Sequence, residues 1–256
     1  MTSDPAQTAA ATLRTVEAST EHLLRTVAEL PPTAVAEPSA LPGWTRGHLL
    51  AHLSRNADSL VNLLESARTG QDIPQYASEQ AREDGIQQGA PRPLDEQLAD
   101  LRSSAERLAA AAAELPAEAW AAELKHRHGY TFQASELPWK RLAELEYHHV
   151  DLAVGYTPAH WPQEFATVEF GKLARRFATL DGLPSVELVA EDTGDRARLG
   201  TGAAAEAPFE LRVEGPVRAL TAWLSGRSDG DGLQVHRDGH LLADPRTALP
   251  TLPPMG

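Results

Sequence analysis

Two pairs of ionisable residues stand four positions apart in this chain, His48 with His52 and Glu144 with His148. On a helix, residues i and i+4 share a face. If the helices carrying the two pairs pack together, one imidazole from the first pair can meet the carboxylate and imidazole of the second. Two nitrogens and one oxygen make a three-ligand set that suits zinc and leaves a fourth position open for water or substrate. Spacing does not separate His48 from His52. His149 points about 100° away from His148 on an ideal helix and suits a supporting role. The chain has no cysteine, so a metal can be held only by His, Asp or Glu, and the protein has no thiolate nucleophile of its own.

The elements that must position these residues are legible as periodicity. Leu13, Val16, Leu23, Leu24, Val27 and Leu30 recur at helical spacing, which predicts a first helix over about Pro5 to Leu30, stopped by Pro31 and Pro32. Thr45 stands where an N-cap belongs, ahead of Leu49, Leu53, Leu60 and Leu64, so a second helix carries both candidate histidines and ends near Gly70. From Gln71 to Pro93 glycine and proline interrupt the pattern and predict a long, partly helical connection. A third long helix is expected from Leu94 to Leu115. The fourth, from about Ser135 to Val154, accommodates Pro138 in its first turn.

After Gly155 the texture changes. A helix over Gln163 to Leu180 precedes strands at Val186–Ala190 and Phe209–Val213, a helix at Pro216–Leu224 and a hairpin over Val235–Leu241. The expected class is α+β: an antiparallel four-helix bundle over residues 1–157 and a smaller α/β domain over 158–256. With 36 acidic against 23 basic residues, net charge −13, the chain lacks the clustered cations that grip a phosphate backbone, so nucleic acid is not an expected partner. Met1 to Leu13 has no basic start followed by an apolar run, and no later run approaches a membrane span, so a cytoplasmic location without a membrane is expected.

The stretch Leu41-Pro-Gly-Trp-Thr-Arg-Gly-His-Leu-Leu-Ala-His-Leu53, continued to Asn56-Ala-Asp58, resembles the first signature of the mycothiol-dependent maleylpyruvate isomerase family, within the DinB-like bundle superfamily. Arg141-Leu-Ala-Glu144-Leu-Glu-Tyr-His148-His149-Val-Asp151-Leu, with Gly155-Tyr156-Thr-Pro158 and Trp161-Pro162, resembles the second. Tyr76, Arg82, Asp84, Ile86 and Ala90-Pro-Arg-Pro93 between them are similar as well, and Gly215-Pro216 to Trp223-Leu-Ser-Gly-Arg227 resembles the family's small C-terminal domain.

The resemblance implies a metal site at His52, Glu144 and His148, choosing His52 over His48, with zinc or another divalent metal as cofactor and mycothiol as the thiol cosubstrate. It implies conversion of maleylpyruvate to fumarylpyruvate, a cis-to-trans change about a conjugated C=C bond. A thiolate that adds to such a bond leaves a single bond free to turn before elimination. The diacid would need cationic partners, for which Arg82 and Arg227 are the candidates, arginine's planar fork matching a carboxylate's two oxygens. Arg141 would orient Glu144, with His48, Asn56 and Tyr147 as further supporting residues. The same motifs serve a mycothiol S-transferase, a zinc hydrolase or a metal-binding module without catalysis, and these alternatives stay open.

Overall fold

The computed structural model describes residues 4–200 and 209–254. Helix α1 spans Pro5–Ala28 and begins on Asp4, whose side chain accepts from the Ala6 amide. Helix α2, Arg46–Thr69, starts at the Thr45 cap and ends on Gly70, whose left-handed φ of 70° glycine adopts without strain. The connection predicted as partly helical contains α3, Glu79–Gly89, capped by Ser78. Helix α4 follows at Leu94–Glu114. A two-stranded antiparallel hairpin, β1 at Glu123–Lys125 and β2 at Thr131–Gln133, was not foreseen from the sequence. Three residues a strand give too short an alternation to register against the background. Helix α5, Leu137–Asp151, follows a single 3-10 turn and holds Pro138 in its first turn.

Helices α1, α2, α4 and α5 form the bundle, in which α2 lies beside α4 and α5, and α1 beside α5 and α4. Contacts between them set the directions. Arg55 of α2 meets Asp100 of α4, and Asp58, further along α2, meets Arg107, further along α4, so these two helices run the same way. Ser19 meets Glu146 and Thr26 meets His149, so α1 and α5 also run alike. His52 meets Glu144 while Leu53 and Asn56 meet Arg141, so α2 and α5 are opposed. The bundle is therefore two helices against two. The crossover through α3 is what allows α4 to repeat the direction of α2, and it accounts for the length of that connection.

Packed by α3, α4 and α5, α2 has little free surface, and its serines satisfy themselves locally: Ser54 donates to the Leu50 carbonyl, Ser59 to Asn56 and Ser66 to Ile73. Small residues let α3 close on it. A Cβ on Gly89 would lie 2.7 Å from the Ala51 Cβ, and one on Gly47 would lie 2.2 Å from the Ala90 carbonyl oxygen. Leu60, Leu63 and Leu64 of α2 fill the core with Leu108 and Ala112 of α4, while Trp120, Leu124 and Phe132 of the hairpin region continue it.

The chain separates into two compact units, Met1–Tyr156 and Thr157–Gly256. In the second, helix α6 (Gln163–Phe177) precedes β3 (Val186–Ala190), β4 (Arg196–Leu199), β5 (Leu211–Gly215), helix α7 (Val217–Leu224), β6 (Gln234–Arg237) and β7 (His240–Leu241). The five strands order β4-β3-β5-β6-β7, with β3 and β5 parallel, Val186 opposite Leu211, and every other pair antiparallel. Phe170 and Phe177 of α6 and Leu220 of α7 join Leu188, Val213 and Val235 of the sheet in one core. Strand β5 lies two residues later than the sequence predicted. Strand β4 was missed: it is an edge strand with Arg196 and Arg198 exposed, and charge on an edge suppresses the apolar alternation that marks a strand. Among the described residues no helix is long and apolar enough to cross a membrane.

Candidate metal centre

His52 comes from α2, and Glu144 and His148 come from one face of α5. The Nε2 of His52 lies 2.8 Å from the Glu144 Oε2, and the Nε2 of His148 lies 3.3 Å from that same oxygen. One ligand atom from each residue falls within 4.8 Å of the others. Ligand bonds of 2.0–2.1 Å at tetrahedral angles place ligand atoms roughly 3.3 Å apart, so this donor set fits a single divalent ion with modest adjustment of His52. His52 is buried, while a third of the Glu144 side chain, 33 %, is open.

The electrostatics favour a negative Glu144. Burial alone would raise its pKa, but hydrogen bonds from His148 and His52, with their charges, hold it well below the usual carboxylate range. For His52, burial prevails over Glu144 and pushes the imidazole down, favouring the neutral ring a metal needs. For His148, burial is outweighed by hydrogen bonds to Asp151 and Glu144, and its pKa is raised.

Asp151, which sequence reasoning left without a role, is buried and lies 2.9 Å from the Nδ1 of His148. A carboxylate there fixes a proton on Nδ1 and aims Nε2 at the donor set, where it would ligate a metal. The i,i+3 spacing of His148 and Asp151 was the available signal. Trp44, also unassigned, sets its ring edge-on to His52 at 5.6 Å.

His48 has a different task. Its Nδ1 lies 2.8 Å from the Thr45 hydroxyl and 3.2 Å from the Thr45 amide, closing the N-terminal turn of α2. It stacks on Trp44 and lies outside the donor set. His149 faces α1, with Nε2 2.9 Å from the Thr26 hydroxyl and its ring stacked on Tyr156. Arg141 does not hydrogen-bond to Glu144, contrary to expectation. It is 1 % exposed, and its Nη1 donates to the Leu53 carbonyl and to Asn56 Oδ1, both at 2.8 Å. The reach of a buried arginine carries it past its own helix to α2. Burial lowers its pKa to about 10, which leaves it charged at neutral pH. Tyr147 is buried.

Arg82, on α3, brings its Nη2 to 3.5 Å from the Nδ1 of His52, and its nearest carboxylate, Glu83, is 4.0 Å away. Its charge is thus beside the donor set and little committed. Arg227 belongs to the second unit, where its Nη1 donates to the Ser225 carbonyl at the end of α7.

Fold and site together define a helical-bundle protein with a three-residue donor set fit for a divalent metal, followed by a small α/β unit. The chain belongs to the mycothiol maleylpyruvate isomerase N-terminal domain family, whose profile matches residues 16–153. Two crystal structures resemble it along most of its length. One, of a mycothiol-dependent maleylpyruvate isomerase, is 29% identical with a TM-score of 0.79, covering 89% of this chain and 92% of that one. The other, a histidine-to-alanine mutant of a mycothiol-dependent maleylpyruvate isomerase, is 28% identical with the same TM-score and coverage. No curated protein sequence gave a match.

Proposed function

We propose that the protein is a mycothiol-dependent cis–trans isomerase that converts maleylpyruvate, or a related cis-enoic keto acid, to fumarylpyruvate at a divalent metal site. The observation that carries this reading is the convergence of His52, Glu144 and His148 from two helices, with Glu144 partly exposed, in a member of this family. Zinc suits two imidazoles and one carboxylate, and there it would act as a Lewis acid toward a thiol or a carbonyl oxygen. Mycothiol would supply the sulfur nucleophile that this cysteine-free chain lacks.

The chain's own residues bind and orient. His52, Glu144 and His148 would hold the ion, and Asp151 sets the tautomer of His148. Trp44 packs edge-on against the ring of His52. Arg82 takes a substrate carboxylate, since its guanidinium stands beside His52 and its nearest carboxylate, Glu83, is 4.0 Å away. Arg227 is proposed as a further carboxylate partner on its residue type alone.

The test is incubation of the protein with maleylpyruvate and substoichiometric mycothiol, following product and free thiol. Complete conversion with the thiol recovered is the expected outcome. Conversion that stops when the thiol is used up would instead identify an S-transferase, and turnover without any thiol would overturn the reading.

A further inference from the structure

A cleft of about 450 Å³ opens in the first unit, lined by Asp72, Tyr76, Glu79, Lys125, His126 and Arg127 among others. Its walls are the segment between α2 and α3 and the β1–β2 hairpin, and they are tied together. The buried Gln75 accepts from the Arg127 amide at 2.9 Å, and Arg127 donates to Glu79 at 2.8 Å. Side-chain charge in the cleft balances, Asp72 and Glu79 against Lys125 and Arg127. His126 is held neutral, its pKa pushed down to about 4 by burial and by the nearby Lys140 charge. Its Nδ1 accepts from the His128 amide at 3.2 Å, so its proton sits on Nε2.

That lining selects a ligand class. An anion would meet two carboxylates, a cation would meet an ammonium and a guanidinium, and an apolar group would desolvate Asp72 and Lys125 without partners and the Arg127–Glu79 pair with its remaining hydrogen-bonding capacity unmet. Vicinal hydroxyls satisfy the set, because each both donates to a carboxylate and accepts from a cation. Small-molecule sites run to about 300–1,000 Å³, and a cleft of this size has room for a group as large as a sugar and more than a short diacid requires. Helix α3 links the cleft to the candidate metal centre: Glu79 lines the cleft, and Arg82, three residues later on the same helix, brings its Nη2 to 3.5 Å from the Nδ1 of His52.

We propose that this cleft binds the uncharged polyhydroxylated part of the small-molecule thiol through Asp72, Glu79, Lys125 and Arg127, with the sulfur directed toward His52, Glu144 and His148. The inference rests on the thiol-dependent reading above, and mycothiol, a cysteine carried on an amino sugar and a cyclitol, has the required chemistry.

The experiment is calorimetric titration of the full-length, metal-loaded protein with mycothiol and its S-methyl derivative, which cannot add to a double bond, and with N-acetylcysteine, which lacks the polyol. The variant is Asp72→Ala with Lys125→Met. Both residues are exposed, and neither side chain has a hydrogen bond or ion pair recorded within the described residues. The double variant should bind mycothiol and its S-methyl derivative at least about tenfold more weakly, the scale of losing hydrogen bonds to charged groups. Its affinity for N-acetylcysteine, metal content and melting temperature should be those of the wild type. Equal affinity of variant and wild type for mycothiol would overturn the cleft assignment and leave the thiol reading standing. Failure of the wild type to bind mycothiol at all would overturn both.

Discussion

Replacing Asp151 by Asn should weaken the metal site without touching a ligand. Asp151 is 2 % exposed and its Oδ2 stands 2.9 Å from the Nδ1 of His148, so the interaction is charge-assisted and little screened by solvent. Its effect on the ion is indirect: it holds the proton on Nδ1 and raises the basicity of Nε2. Loss of such a partner costs about 10–100-fold in metal affinity, or about 1.4–2.7 kcal/mol. The Asn carbonyl can still accept from Nδ1, which places Asp151→Asn near tenfold and Asp151→Ala, with no acceptor, nearer a hundredfold. Competition for zinc against a fluorescent chelator at neutral pH measures the ratio, and circular dichroism checks that both variants are folded. Affinity within a factor of about two of wild type in both folded variants would refute the claim that Asp151 orients His148.

Four further outcomes follow from the geometry. His48→Ala should lose about 0.5–2 kcal/mol of stability through its cap and keep its metal, whereas His52→Ala should lose the metal; metal analysis with thermal melts separates the two. Arg82→Met should raise KM for the keto acid about ten- to a hundredfold at unchanged zinc content, and wild-type kinetics would remove Arg82 from substrate binding. Arg141→Met should cost about 1–3 kcal/mol by leaving the Leu53 carbonyl and Asn56 without their donor and should weaken metal binding as well, read by melts and the same competition assay. Burial raises the Glu146 pKa above its ordinary 4.5 despite hydrogen bonds from Ser19 and Tyr156; a raised carboxyl contributes stability at low pH that is lost as pH climbs from 4.5 through the folded value, so melting temperatures of Glu146→Gln should gain on wild type over that rise, and parallel curves would refute it.

What was legible in the sequence was whatever repeats locally. The helices α1, α2, α4 and α5 announce themselves by leucines at helical spacing, and α2 by its Thr45 cap and terminal Gly70. The candidate donor residues were visible as i,i+4 pairs, but choosing His52 over His48 took the family resemblance, because both share a face and what separates them is tertiary: His52 reaches Glu144 across the bundle while His48 turns back to the Thr45 cap. The hairpin β1–β2 and strand β4 were hidden for want of length or of apolar alternation. The partner of Arg141 was hidden for another reason. A side chain that long can serve its own helix or reach across to the next, and spacing within α5 is silent on which.

That reach bears on how the centre is assembled. Glu144 and His148 are fixed relative to each other by one helix, but His52 must be brought level with them by the axial register of α2 against α5. A slip of one turn moves a side chain 5.4 Å, more than the 4.8 Å that spans the whole donor set. Apolar packing of leucines on alanines tolerates such sliding better than a directional contact does. Arg141 supplies the directional contact: one guanidinium, buried, grips the Leu53 carbonyl and Asn56 side chain one turn from His52. The opposed run of α2 and α5 is equally necessary, since with Arg141 anchored near residues 53–56 only an antiparallel partner places residues 144 and 148 beside 52. The crossover through α3 lets α4 run parallel to α2 and also delivers Arg82 to the Nδ1 side of His52. The segment with the weakest periodicity in the first unit thus both allows the bundle's topology and brings a cation to its centre.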